Sequence, residues 1–134
     1  MIYSYKMSAV YREKIVDHYK NPRGWGKLKE YTHFGVAQNL SCGDEIRFWI
    51  QVDDKDMIKD ISFKGEGCVI SLSTASMLVK QLKGRKFDQI SKLDKSQVVD
   101  ILGVELRPVR MKCAMISVKA AQESQMGKVV KSGN

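Results

Sequence analysis

The chain has 134 residues, which fits one domain, and 43% of them are hydrophobic, which is enough for one compact core. Its 23 basic and 15 acidic residues give a net charge of +8, but the charges are interspersed and come with no RNP-type aromatic segment, zinc-finger spacing or glycine-rich RNA clamp. No apolar run reaches the roughly 18 residues of a membrane span. We therefore expect no nucleic acid and no membrane as partners, and a basic surface that suits an acidic protein.

The cysteines and the N-terminal residues bear on the cellular compartment. Residues 1–10 lack the apolar stretch of a secretory signal and the Arg-rich pattern of a transit peptide, so a cytoplasmic location is expected. The three cysteines, Cys42, Cys68 and Cys113, are odd in number and widely spaced, which argues against a disulfide framework. Two interpretations remain: the thiols are buried in a core, where free cysteine is common, or they meet at a metal or reactive site.

The first third of the chain predicts one helix and one strand. Apolar residues recur at helical spacing over 8–20, with Ser8 as the N-cap. Pro22 ends this helix because the residue before a proline avoids the helical region. His18 is interpreted as a surface or packing residue, and residues 32–38 predict a short irregular strand. The apolar positions of the helix are Val10, Ile15, Val16 and Tyr19.

Two further segments, 44–53 and 57–64, predict antiparallel strands joined by a polar turn. Hydrophobic and polar residues alternate along both segments, so one side of each strand is apolar. The apolar positions are Ile46, Phe48, Ile50, Val52, Ile61 and Phe63. This pattern indicates a hairpin with one buried face, and the Gly-Glu-Gly sequence at 65–67 is expected to break the second strand.

The rest of the chain predicts helices. Apolar residues at helical spacing predict a long helix over 69–83. Asp94 or Ser96 is expected to cap a short helix, and a loop around Pro108 precedes a last helix over 112–125.

Strands followed by helices indicate an α+β domain with a small antiparallel sheet. We expect one domain over 1–134, with flexible ends at 1–7 and 126–134.

Each cysteine lies at a predicted junction between elements. Cys42 precedes the first hairpin strand, Cys68 lies between the second strand and the long helix, and Cys113 starts the last helix. A helix N-terminus carries partial positive charge, which stabilises the thiolate, the form that binds metal and attacks sulfur. Cys42 and Asp44 are two residues apart, so an extended backbone points both side chains the same way. This placement is compatible with a metal site and with structural burial, and no Cys-x-x-Cys pair decides between them.

Three segments surround the cysteines. They read Ser41-Cys42-Gly43-Asp44, Gly65-Glu66-Gly67-Cys68-Val69-Ile70-Ser71 and Arg110-Met111-Lys112-Cys113-Ala114. In this order and spacing they closely resemble the signature segments of the IscU/SufU/NifU-type iron–sulfur scaffold family. The resemblance covers about residues 11–121 and includes Tyr19-Lys20-Asn21-Pro22-Arg23, which is similar to the end of the family's N-terminal helix.

The resemblance implies a fold, an activity and a set of ligands. The family's fold is a small antiparallel sheet of about three strands with helices packed on one face. Its members accept sulfur from a cysteine desulfurase, combine it with iron, and transfer a labile 2Fe-2S cluster to acceptor proteins. Carried onto this chain, the ligands would be Cys42, Asp44, Cys68 and Cys113, with zinc in the isolated protein. The chain would then be a scaffold rather than an enzyme, a monomer or weak dimer, with a cysteine desulfurase, acceptor apo-proteins and other assembly factors as partners.

Two departures leave the branch of the family open. IscU-type members carry histidine before the third cysteine, where this chain has Lys112, as SufU-type members do. SufU-type members usually carry an insertion between the second and third cysteines, which this chain lacks. The alternative function is therefore a zinc-dependent sulfur acceptor that stimulates a cysteine desulfurase, with Cys113 taking the persulfide. Lys112 would pair with Asp44, steer the persulfide, or be a solvated surface residue.

Overall fold

The computed structural model describes residues 9–40 and 43–126. Its elements are, in chain order, α1 (Ala9–Lys20), β1 (His33–Asn39), β2 (Asp44–Val52), β3 (Ile58–Glu66), α2 (Val69–Leu82), a 3-10 helix (Phe87–Lys92), α3 (Lys95–Leu102) and α4 (Pro108–Met126). Within these ranges, no helix combines the length and the apolar character needed to cross a bilayer. Ser8 and the ends predicted to be flexible lie outside the described residues, except for Met126, which ends α4.

The three strands form one antiparallel sheet in the order β1-β2-β3. The α+β fold is therefore confirmed, and the segment expected to be an irregular strand is a regular one that pairs with β2 along its length. In the hairpin, Phe48 lies opposite Phe63, and both are fully buried, as the alternation predicted. Asn39 at the end of β1 lies opposite Asp44 at the start of β2. The connection between β1 and β2 therefore lies at the same end of the sheet as the end of β3.

Helices α2 and α4 share one hydrophobic core with the inward-facing side chains of the sheet, and α1 packs on α2. Small hydroxyl side chains hold these helices close together. Ser73 Oγ of α2 donates a hydrogen bond of 2.8 Å to the carbonyl oxygen of Ile15 in α1. Ser117 Oγ of α4 donates one of 2.8 Å to the carbonyl oxygen of Ser71 in α2. The small residues of α2 thus serve its packing on helices as well as on the sheet.

The expected break in the second hairpin strand is wrong. Gly65 and Glu66 belong to β3, and Glu66 pairs with Glu45. A Cβ atom at position 65 would lie 2.3 Å from the carbonyl oxygen of Glu45, so glycine is needed there for close strand pairing rather than for a turn. The strand consequently continues to the edge of the sheet and leads directly into Gly67 and Cys68.

The last helix begins earlier than expected. Pro108 is its first residue, because a proline in the first helical turn gives up no intrahelical hydrogen bond. The Met111 N–H donates to the carbonyl oxygen of Arg107 at 2.8 Å and closes this turn. Cys113 therefore lies in the second turn of α4, and the prediction that it starts the helix is wrong.

The remaining helix boundaries are close to those predicted. Asp94 caps α3 by accepting the Gln97 N–H at 3.1 Å, whereas Ser96 donates to the Asp94 carboxylate. α2 ends at Leu82, one residue before the expected end. The 3-10 helix between α2 and α3 was not expected.

Helix α1 buries a different set of residues from the predicted one. Ile15 is buried as expected, but Val16 and Tyr19 are 39% and 43% exposed. His18 is buried in their place, and its Nδ1 lies 2.7 Å from Ser76 Oγ in α2. Burial is the main cause that lowers the pKa of His18 to about 4, with the positive charge of Arg23 next. The ring is therefore neutral at pH 7.

We expect the free energy of unfolding to fall as the pH is lowered from about 6.5 to 4. In this window His18 binds a proton in the unfolded chain, where its pKa is about 6.5, but not in the folded one, so acid favours unfolding. The contribution of neutral His18 to the free energy of unfolding is complete above the pKa of His18 in the unfolded chain, and it amounts to about 3 kcal/mol at most. Urea unfolding followed by circular dichroism across this pH range measures it.

His18→Gln should flatten this pH dependence. The matched control is His33→Gln, because burial also lowers the pKa of His33 but to a lesser extent, so this variant should keep most of the slope. An unchanged slope in His18→Gln would show that another group titrates.

Candidate metal and sulfur site

Asp44, Cys68 and Cys113 meet at one end of the sheet. One ligand atom of each, a carboxylate oxygen or a sulfur, lies within 4.8 Å of the other two. Asp44 begins β2, Cys68 is the N-cap residue of α2, and Cys113 lies in the second turn of α4. Since Glu45 pairs with Glu66, the start of β2 lies beside the end of β3, and Asp44 faces the segment that leads into α2. Ligand atoms this close could hold one metal ion, and zinc binds such ligands at about 2.0–2.3 Å.

The Asp44 carboxylate indicates a cation. The residue is only 4% exposed, and no described residue donates a hydrogen bond to its Oδ2. No Lys or Arg within residues 9–40 and 43–126 forms an ion pair with it. Burial of a carboxylate without a partner costs several kcal/mol, a cost that a bound cation removes. Two thiols and one carboxylate suit zinc or iron, whereas magnesium and calcium prefer oxygen ligands alone.

Because Gly67 has no side chain, the Asp44 carboxylate can lie close to its backbone. A Cβ atom at position 67 would lie 2.5 Å from Ser71 Oγ, 2.9 Å from Asp44 Oδ1 and 3.1 Å from Asp44 Cγ. Any side chain there would therefore push the carboxylate or the hydroxyl away. The absence of a side chain at Gly67 therefore lets the carboxylate and the hydroxyl keep their positions in the site.

Cys68 has the surroundings of a thiolate. It precedes the first turn of α2 with extended backbone angles, φ −80° and ψ 172°, so the helix N-terminus faces it as predicted. Burial raises the pKa of its thiol, but hydrogen bonds from the Ser71 N–H and hydroxyl, from Cys113 and from the Ile70 N–H act the other way. The pKa of Cys68 is consequently lower than that of an ordinary cysteine. Cys68 is half-buried, so it combines this lowered pKa with access to solvent.

Cys113 is more deeply buried than Cys68, and Cys42 is not among the described residues. Cys113 is 5% exposed and contacts Cys68, although it lacks the helix N-terminus predicted for it. Cys42 lies outside the described residues, and its neighbour in the sequence, Gly43, lines the site. The site opens to solvent through a pocket of about 590 Å³ that is lined by Asp44, Cys68 and Cys113 together with Gly43, Gly67, Val109 and Arg110.

Lys112 lies on a different side of α4 from Cys113. It is exposed and lines a neighbouring groove, and among the described residues it forms no ion pair with Asp44. Arg110 is the basic residue that lines the site pocket, and the sequence places it near Cys113. Its position follows from helical spacing, because residues three apart on a helix share a face. The predicted helix began after Arg110, so the shared helical face of Arg110 and Cys113 was not predicted.

With this geometry in place, comparison with known proteins identifies the family. The chain matches the NifU-like N-terminal domain over residues 10–127. It belongs to this family. The resemblance seen in the cysteine segments is therefore confirmed.

Relatives from two branches are equally similar to this NifU-like domain. The zinc-dependent sulfurtransferase SufU of Bacillus subtilis is 34% identical over an alignment 140 positions long. This alignment covers 92% of this chain and 94% of SufU. The scaffold protein IscU of Haemophilus influenzae is 34% identical over 117 residues, which cover 83% of this chain and 91% of IscU. The crystal structure of SufU from Fervidobacterium islandicum superposes with a TM-score of 0.71 at 26% identity, covering 84% of this chain and 93% of that one.

Gly67→Ala should weaken zinc binding about 10- to 100-fold, the usual cost of disturbing a group that orients a ligand. The added methyl group would overlap Ser71 Oγ and displace the Asp44 carboxylate. Competition with a chromophoric zinc chelator measures the affinity of the purified variant.

Gly84→Ala is the matched control for this substitution. Position 84 has φ +85° and open space around its Cβ, so alanine there adds backbone strain of about 1–2 kcal/mol without touching the site. Its zinc affinity should equal that of the parent protein. Equal affinities in all three proteins would contradict the role assigned to Gly67.

In metal-free protein, iodoacetamide should alkylate Cys68 faster than Cys113. Cys68 is half-buried and its pKa is lowered, whereas Cys113 is 5% exposed. Peptide mass mapping over a time course separates the two rates, and added zinc should slow both. Faster modification of Cys113 would contradict the described difference in access.

Proposed function

We propose that this chain is a scaffold on which iron–sulfur clusters are assembled before transfer to other proteins. The observation that carries the proposal is the convergence of two thiols, Cys68 and Cys113, with the buried carboxylate of Asp44, whose Oδ2 has no hydrogen-bond donor among the described residues. Thiolates are the usual ligands of iron in such clusters. The relative from Haemophilus influenzae is itself a cluster assembly scaffold, which supports the same function.

A scaffold has to release its cluster to acceptor proteins, and the ligand set suits a cluster that is bound and then released. Asp44 offers an oxygen at one corner, which holds iron less firmly than a fourth thiolate would. Cys42 completes the proposed ligand set of Cys42, Asp44, Cys68 and Cys113, and is the one member outside the described residues. The pocket is open to solvent, and Val109 at its lining is 68% exposed, so an acceptor protein has access to the 2Fe-2S cluster.

The same residues fit zinc in the isolated protein. Thiolates and one carboxylate make a tetrahedral set, and bound zinc would supply the positive charge that the buried Asp44 lacks. We also propose a cysteine desulfurase as the sulfur donor, apo-proteins as acceptors and other assembly factors as partners. The protein itself needs no turnover chemistry for this role.

A second candidate is a zinc-dependent sulfur acceptor, which the similarity to SufU of Bacillus subtilis favours. In this function a thiolate of the site attacks the outer sulfur of the donor's persulfide, a new S–S bond forms, and the donor's cysteine leaves as a thiolate. The resemblance to SufU-type proteins implies Cys113 as the acceptor. The greater exposure and lowered pKa of Cys68 favour Cys68 as the first acceptor.

Anaerobic reconstitution with iron, cysteine and a cysteine desulfurase tests the scaffold. We expect visible charge-transfer absorption that survives desalting, and its loss in Cys42→Ser, Cys68→Ser and Cys113→Ser. Ser62→Ala is the matched control because Ser62 is buried in β3 away from the site pocket. Stimulation of the desulfurase without any retained absorption would replace the scaffold with the sulfur acceptor.

Asp44→Ala should make a bound cluster longer-lived, because the substitution removes the oxygen corner. The metal-free variant should also be more stable by about 1–3 kcal/mol, since a buried acceptor without a donor is removed. The decay of visible absorption with an added chelator gives the lifetime, and urea unfolding gives the stability. Faster cluster loss in this variant would count against the role proposed for Asp44.

A further inference from the structure

A long groove lies on the other side of α4 from the site. It has a volume of about 900 Å³, and its floor is apolar, with Leu106, Met111 and Met115 among the residues that line it. Leu40, at the end of β1, is 88% exposed and also lines it. A hydrophobic side chain this exposed beside an apolar floor is typical of a binding surface.

The charges around the groove have one sign. Lys95, Lys112 and Lys119 line it, all three are exposed, and no Asp or Glu belongs to its lining in the described part of the chain. Lysine stems cover apolar surface while their ammonium groups stay in water, so the groove offers an apolar floor with a positive rim. Such a surface complements a ligand that carries apolar side chains and carboxylates together.

The shape of the groove suits an extended segment. It reaches the end of β1, which in the described sheet has a neighbouring strand on one side only. A second depression of about 470 Å³, to which Val36, Lys119 and the acidic Glu123 contribute, lies along the same strand and helix, so the excess of positive charge belongs to the first groove. Together these two cavities follow β1 and α4 over much of their length. Extended peptides bind along sheet edges in this manner.

We propose that this groove binds an extended, acidic segment of a partner protein that places apolar side chains on its floor. The first turns of α4 contribute to both cavities: Pro108 and Lys112 line the groove, whereas Arg110 and Cys113 line the site pocket on the other side of the helix. A partner held in the groove therefore has its next residues beside Cys68 and Cys113. That use of the groove rests on the proposed function, whereas peptide binding itself does not.

Fluorescence anisotropy with a labelled peptide of alternating glutamate and leucine tests the proposal. The parent protein should bind it in low salt and lose it as ionic strength rises. Lys95→Glu with Lys119→Glu should weaken binding at least about tenfold, since two favourable charges become repulsive. The control is Lys20→Glu with Lys59→Glu, two exposed lysines outside the groove that change the net charge equally. This control variant should bind the peptide within about twofold of the parent protein, because it changes the net charge but keeps the lysines of the groove.

Comparison peptides and a second variant keep the test decisive. Peptides of alternating glutamate and serine, or lysine and leucine, should bind much more weakly, because each lacks one feature of the ligand. If the charge-reversed variant unfolds in circular dichroism, Lys95→Ala with Lys119→Ala takes its place. Equal weakening by both double variants, or tighter lysine-dependent binding of oligothymidine, would overturn the proposal. Zinc content and cluster formation are measured on the same proteins, so loss of metal binding with retained peptide binding would reject the scaffold function alone.

Discussion

The buried carboxylate of Asp44 is the constraint on which the rest of the site depends. One of its oxygens has no hydrogen-bond donor among the described residues, and the group has no ion pair there. A bound cation would offset the cost of this arrangement, because a buried and unpaired charge is otherwise strongly destabilising. Gly67 strengthens this conclusion, since the chain gives up a side chain where a methyl group would displace the carboxylate.

The fold brings the ligands together through the register of the sheet. In an antiparallel hairpin, the first residue of one strand lies beside the last residue of the other, and the pair Glu45–Glu66 sets Asp44 beside the segment that leads to Cys68. The absence of a Cβ at Gly65 lets β3 stay paired with β2 up to Glu66, next to this segment. Cys113 is supplied by α4, which is held to α2 by the hydrogen bond from the Ser117 hydroxyl to the Ser71 carbonyl oxygen. The site therefore depends on strand pairing and on helix packing at once.

Local sequence patterns predicted the elements that depend on interactions between residues close in the sequence. The hairpin followed from alternation, the cap at Asp94 from its side chain, and the helix N-terminus at Cys68 from the glycines before a helical pattern. For His18 the sequence left a surface and a packing position open, because its partner Ser76, which supplies the hydrogen bond that makes burial acceptable, is far away in the sequence. The convergence of the cysteines could be suggested only by resemblance, since no spacing rule relates three segments that meet through tertiary packing.

The difference between Lys112 and Arg110 shows how helical phase divides the surface of α4. Residues 110 and 113 are three apart and share the face that closes the site, while Lys112, one position from Cys113, points about 100° away and lines the groove. A helix that began at residue 112, as the sequence suggested, would have left residue 110 in a loop with no defined relation to the thiols. Because Pro108 starts the helix one turn earlier, both basic residues have fixed positions on opposite sides of one element. A single helix thus separates a polar pocket that suits a metal from an apolar, positively rimmed groove that suits a peptide.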